Sequence, residues 1–245
     1  MPNYNDVYGA SRPSKDARML SMATRGRPKL HEDKDILASV VGAFARSGYE
    51  AVSMRSLSLS LGLSHSALGQ RFGSKEELYR TAVDAEFKRF IEEVGRSRDA
   101  HPSDLGDLGD LRTVVHSFLS TSALFPALGQ LMNQEGSEAS SRLEHILETV
   151  VRPQLQQITG LVERLIEAKV IHPVTTRALF FLMAHGAEAP FTLTALSSVF
   201  DDRDGVLNVA HHVDATTDLL IRGLVRDPVP PHLPEGLVEG QVLHC

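Results

Sequence analysis

The stretch Ser53–Phe72, SMRSLSLSLGLSHSALGQRF, constrains the chain most, because it breaks two short runs of helical periodicity at one point. Met54, Leu57 and Leu61 fall at i, i+3 and i+7, on one side of a first helix that Ser53 caps. Gly62 ends that helix, since glycine enters the left-handed C-terminal conformation without a Cβ penalty. Ser64 then caps a second helix, whose buried stripe is Leu68 and Phe72 at i, i+4. Its other face offers His65, Ser66, Gln70 and Arg71, polar donors suited to lying against a duplex. A competing pattern runs through the same residues: Leu57, Leu59, Leu61 and Leu63 alternate with Ser or Gly, which is strand periodicity. Helical patterns flank the stretch and no partner strand is visible nearby, so the expectation is a helix-turn-helix whose second helix enters the major groove.

The flanking segments are helical by the same test. Ile36, Val40 and Phe44 fall at i, i+4 and i+8 over residues 31–47, with Leu37 and Val41 widening the stripe. Gly48 stops this helix and Tyr49 follows. Ser74-Lys75-Glu76-Glu77 reads as a capping box that opens a long helix to about Arg96, with Leu78, Val83, Phe87, Phe90, Ile91 and Val94 as candidate buried positions. Residues 97–109 are rich in Ser, Asp, Pro and Gly and read as a linker. Helices are expected over about 110–124, 138–168 with a kink at Pro153, 173–200 with an interruption at Pro190, and 206–225. Phe125–Asn133 is a short apolar segment. Ala178–Leu196 is apolar nearly all round, apart from Arg177 at its edge, His185 and Glu188, which predicts a core or an interface.

Phe44, Gly48-Tyr49, Met54-Arg55-Ser56-Leu57, Gly62-Leu63-Ser64, Ala67-Leu68 and Phe72-Gly73-Ser74-Lys75-Glu76-Glu77-Leu78, in that order, resemble the DNA-binding domain of TetR-family transcriptional regulators. The match spans roughly residues 30–90. The resemblance implies an all-α chain: a three-helix helix-turn-helix domain, a linking fourth helix, and a helical ligand-binding and dimerising domain over 110–225. It also implies a homodimer through the helices at about 173–200 and 206–225, reading a palindromic operator in double-stranded DNA, and an unknown small-molecule effector that releases a repressor. Two positions depart from the family pattern. Gly69 stands where an aromatic, often Tyr, is usual, and Ser58 where Ala is usual.

The net charge of −6 is unevenly spread. Residues 1–98 hold 16 Lys/Arg against 12 Asp/Glu, and residues 99–245 hold 9 against 19. The basic excess sits in the first 30 residues and points to a polyanion at one end. Residues 1–24 are polar and aperiodic, as expected of a disordered tail, and the proline-rich residues 226–245 read as an irregular one. Arg25-Gly26-Arg27-Pro28-Lys29 resembles an AT-hook, in which arginines on an extended backbone follow a narrow A·T minor groove.

The expected DNA contacts are therefore Arg25, Arg27, Lys29, Ser53, Arg55, Ser64, His65, Ser66, Gln70, Arg71 and Lys75. The expected ligand contacts are His116, Phe118, Phe125, His145, Arg152, Phe180 and His185, polar or aromatic side chains within apolar helices. A rival reading is a small-molecule-binding helical protein that holds AT-rich DNA nonspecifically through the basic arm. No His-x-x-x-His pair or cysteine cluster supports a metal site, no cofactor motif appears, and no nucleophile–base or phosphate-loop signature marks an enzyme. The lone cysteine, Cys245, fits a reducing compartment; with no apolar run of membrane length and no visible secretory signal, a cytoplasmic protein without a membrane partner is expected.

Overall fold

Helix α1 (Asp33–Ser47) buries Ile36, Leu37, Val40, Val41 and Phe44, the stripe its periodicity requires, and carries Asp33 and Asp35 in its first turn. The computed structural model describes residues 32–226 except 65, 101 and 103–105. The basic arm Arg25–Lys29, the tail 1–24, His65 and all but the first residue of the tail 226–245 therefore lie outside the described residues.

Gly48 leaves α1 at φ 77°, and its N–H donates to the Phe44 carbonyl at 2.8 Å. Ser53 then caps α2 (Met54–Ser60) in a reciprocal capping box with Ser56. The α2 exit is a Schellman turn: Leu63 N–H donates to Ser58 O at 2.8 Å and Gly62 N–H to Leu59 O at 3.1 Å, with Gly62 at φ 65°. This settles the Leu/Ser alternation. A strand would place Leu57 and Leu59 on one face, but Leu57 is buried and Leu59 is 79% exposed. Helix α3 spans Ala67–Phe72 and buries Leu68. Its cap position is Ser66 rather than the expected Ser64: the first four-residue helical bond runs from Gln70 N–H to the Ser66 carbonyl at 2.9 Å, whereas the Ser64 carbonyl accepts a three-residue turn bond from Ala67 N–H at 3.0 Å.

Helix α4 (Lys75–Ala100) opens on the expected box: Glu77 N–H donates to Ser74 Oγ, and Ser74 N–H to the Glu77 carboxylate at 2.7 Å. At 1.5 Å per residue its 26 residues run ~39 Å. It extends past Arg96 into the expected linker. The next helix, α5 (Gly106–Ser122), begins four residues before Asp110. The short apolar segment is a full helix, α6 (Pro126–Glu135), with Pro126 in its first turn, where a missing N–H costs nothing.

Both later prolines are accommodated by π-helical turns. Helix α7 (Ser141–Ile146) passes through a π segment (Leu147–Val151) into α8 (Arg152–Glu167), so Pro153 falls in the first turn after a register change. Helix α9 (Thr176–Phe181) passes likewise through Leu182–Ala187 into α10 (Ala189–Thr192), which begins beside Pro190. The extra residue per turn removes the clash of a proline ring with the carbonyl four residues back. The long helix expected over 173–200 is thus a series of short ones. It starts at Thr176 under a Thr175 cap, leaving Pro173 outside, and continues through α11 (Thr194–Ser197), a 3₁₀ turn and α12 (Asp201–Asp204). Helix α13 (Val209–Leu224) closes the order; an antiparallel bridge between Ile171 and Val225 ties its end to the loop after α8.

Two apolar cores result. The first joins α1 to α4 with Leu128 and Leu131 of α6 and Ile146 of α7. The second is built from α5, α8, the α9 segment and α13. No described helix is long and apolar enough to cross a membrane, and no described group of His, Cys, Asp and Glu is arranged to hold a metal.

Ser58 occupies a position only 1% exposed, and its hydroxyl has no hydrogen-bond partner among the described residues. An unsatisfied buried hydroxyl costs ~1–3 kcal/mol. Ser58→Ala is therefore expected to stabilise the protein by about 1 kcal/mol in urea denaturation. A loss of stability would mean that the hydroxyl has a partner.

Candidate DNA-binding surface and ligand cavity

The α2–α3 unit presents Ser53, Arg55, Ser64, Ser66 and Gln70 to solvent. Ser53 Oγ is engaged in its own cap, accepting from Ser56 N–H at 3.0 Å. Arg71 is ion-paired with Asp33 at the start of α1, and Lys75 lies with Nζ 4.1 Å from the Tyr49 ring centroid. Both cations thus have intramolecular roles. Gly69 sits mid-helix on the exposed side, and a Cβ added there would meet nothing within 4 Å.

Behind this surface lies a joint of aromatic and charged groups. Tyr49 stacks on Phe44 at 5.5 Å and meets Tyr79 edge-on at 5.3 Å. The Arg142 guanidinium of α7 lies 4.1 Å from the Tyr49 centroid. Arg142 is oriented by Glu135, 7% exposed at the end of α6, through Nε–O contacts of 3.2 Å to both carboxylate oxygens. Burial opposes the Arg142 charge, but Glu135 outweighs it and holds the guanidinium above its ordinary pKa. Burial, then Glu76, pushes the Tyr49 phenol up to about 12. Tyr79 is raised too, by burial first and the Glu135 charge second. Both rings therefore stay neutral over the physiological range. Next to this joint, His145 on α7 bonds Asp84 on α4 at 2.7 Å.

A cavity of about 350 Å³ lies between the far half of α4 and the C-terminal helices. Phe118, Phe125, Phe180 and His185, four of the seven expected ligand contacts, line it. The other three expected contacts are elsewhere: His116 bonds Asp214 at 3.1 Å, His145 bonds Asp84, and Arg152 pairs with Glu144 and Glu148. They reside at helix–helix seams or on the surface because carboxylates hold them there: Asp214 of α13 and Asp84 of α4 for the two histidines, and Glu144 and Glu148 of the preceding turns for Arg152.

The wall that sequence reasoning missed is α4 itself. Phe87, Phe90, Ile91 and Val94 line the cavity, and Phe90 meets Phe118 and Phe125 edge-on at 5.9 and 5.8 Å. Their i, i+3, i+4, i+7 spacing was a visible signal, but it marks burial without saying what is buried against it. Both π segments also contribute: Val150 and Val151 from one, Met183, Ala184 and His185 from the other. A π turn splays side chains off the regular helical face, which suits a cavity wall.

Glu188, 4% exposed, is the only carboxylate among the described lining residues. Burial raises its pKa to about 7, with Ser122 hydrogen bonding pulling slightly the other way. Gly129 makes room for it, since a Cβ there would collide with Glu188 Oε1. A carboxyl group with a raised folded pKa contributes stability that is full below about 4.5 and is lost as pH rises through about 7. At 1.36 kcal/mol per unit this amounts to roughly 3 kcal/mol. Glu188→Gln is expected to gain stability relative to wild type between pH 5 and pH 8, followed by urea midpoints. Parallel pH profiles would show that the carboxyl is hydrated.

Residues 36–82 match the family model for bacterial regulatory proteins of the tetR family. The chain matches no curated protein sequence. Its fold is similar to that of the TetR family transcriptional regulator PfmR from Thermus thermophilus, with 22% identity and a TM-score of 0.52 over 80% of this chain and 99% of that one. It is also similar to a bacterial regulatory protein in the tetR family from Rhodococcus RHA1, with 18% identity and a TM-score of 0.56 over 80% of this chain and 100% of that one. The N-terminal helices of this chain thus match the TetR-family model, within an all-helical fold similar to that of these solved regulators.

Proposed function

We propose that the chain is a homodimeric, sequence-specific DNA-binding regulator of transcription, a repressor released when a small molecule enters the α4 cavity. The observation that carries this reading is the continuity of α4. Its first turns are packed in the helix-turn-helix core through Leu78, Tyr79 and Val83, and its later turns wall the cavity. A molecule that reshapes the cavity acts on the element that holds α2 and α3.

In this reading α3 enters the major groove with Ser64, Ser66 and Gln70 towards bases or backbone, and His65 beside them. Ser53, Arg55 and the α2 N-terminus meet phosphates. Arg25, Arg27 and Lys29 follow the adjacent minor groove. Lys75 and Arg71 reach the duplex only by giving up Tyr49 and Asp33. They therefore rank below the others as contacts.

Dimerisation is supported by a band of exposed apolar side chains: Phe181, Leu182, Leu193, Leu196, Val199 and Phe200, with Leu219 on α13. So many large exposed apolar groups mark a protein contact. Two subunits then present α3 twice, to half-sites ~34 Å apart. Release requires the effector to favour the non-DNA state. A hundredfold preference corresponds to ~2.7 kcal/mol.

Selection from random duplexes with the purified protein should yield a palindrome with half-sites about one helical turn apart. On that operator, Arg25→Ala with Arg27→Ala should weaken binding and reduce the slope of log affinity against log salt by about 2 per subunit. Gly69→Tyr should tighten binding. Recovery of only AT-rich, non-palindromic DNA would count against the regulator and favour nonspecific binding by the arm.

A further inference from the structure

We propose that the cavity is built for an organic cation with an elongated apolar body, its charge held by the Glu188 carboxylate. The proposal rests on the reading of this cavity as the effector site, and names the chemistry of the effector.

The cavity walls are dominated by apolar and aromatic groups, and Phe87 to Arg98 of α4 mark a length of ~16 Å at 1.5 Å per residue. That shape takes a chain or a row of fused rings. Against such walls an acid nine-tenths buried is costly unless something pairs with it. Among the described residues Glu188 has no ion pair, and the Ser122 hydroxyl is its one side-chain hydrogen-bond partner. The Gly129 backbone gives way to admit it. The protein has thus kept an acid without a counter-ion among the described residues, at the edge of a largely apolar cavity. An incoming positive charge removes this cost while the carboxyl stays ionised. The Phe125 and Phe90 rings on the same cavity lining present aromatic faces, which are negative and attract a cation.

An acidic ligand head would meet the opposite conditions at this end. Among the described lining residues the one Lys or Arg is Arg98, exposed and eight residues beyond Phe90 on α4, ~12 Å along the helix. The other titratable side chains around Glu188 are already engaged. His185 Nδ1 bonds Asn133 at 2.7 Å, and its ring stacks on Phe181 at 4.9 Å; His212 Nε2 bonds the Ala187 carbonyl at 2.9 Å.

The test uses three probes with one tail and different heads: decyltrimethylammonium, decanoate and decanol, titrated calorimetrically into the full chain. The cation should bind at least about tenfold tighter than decanoate, and Glu188→Gln should erase that preference while leaving decanol binding unchanged. Cation binding near pH 7 should release protons from the wild type, read by repeating the titration in buffers of different ionisation enthalpy, and none from Glu188→Gln. Decanoate binding as tightly as the cation, or a cation preference that survives Glu188→Gln, would overturn the proposal and leave the cavity as an effector site. Failure of all three probes to bind would overturn both readings.

Discussion

The structure depends on one ring, Tyr49, which both Arg142 and Lys75 approach at 4.1 Å from its centroid. Tyr49 belongs to the turn between α1 and α2, Lys75 to the first turn of α4, and Arg142 to α7. Two cations at one aromatic ring repel each other, so the arrangement needs nearby anions. Glu135 supplies one to Arg142, and Glu76 faces the Tyr49 hydroxyl and Arg142. Cation–π contacts of this kind contribute ~0.5–2 kcal/mol each, more as water is excluded. Their consequence is geometric: α7 cannot shift without disturbing the turn that sets the entry of α2.

That turn and the cavity lie only a few residues apart along α7. Arg142 touches Tyr49, His145 holds Asp84, Ile146 enters the first core, and Val150 and Val151 of the following π segment line the cavity. A ten-residue stretch therefore reaches from cavity wall to helix-turn-helix, alongside the longer route through α4. The π turns are a second common device. Each precedes the first turn of a helix that holds a proline, and each contributes residues to the same cavity.

Local signals made much of this legible. Ser53, Gly62 and the Ser74/Glu77 box act within a few residues of themselves, so caps and turns could be read directly, and Leu68 and Phe72 gave the buried side of α3. Harder to see was anything decided by distant partners. His116, His145 and Arg152 have the same chemistry as cavity residues, and only their fold-determined neighbours Asp214, Asp84 and Glu144 take them out of it. Glu188 stood out in sequence as a charge in an apolar run. Its place over Gly129, 59 residues earlier in the chain, was not visible there. The π turns escaped because the periodicity of short apolar runs does not distinguish 3.6 residues per turn from a local widening.

The central claim is that the helix-turn-helix and α6–α7 are one cooperative body. Ile146 is fully buried in the core they share, and truncation to alanine there should cost ~2–5 kcal/mol. Native-state hydrogen exchange of Ile146→Ala tests the claim directly. Amides of α1 and α4 should lose protection by the same free energy as those of α6 and α7. Protection lost from α6 and α7 alone, with α1 unchanged, would contradict it.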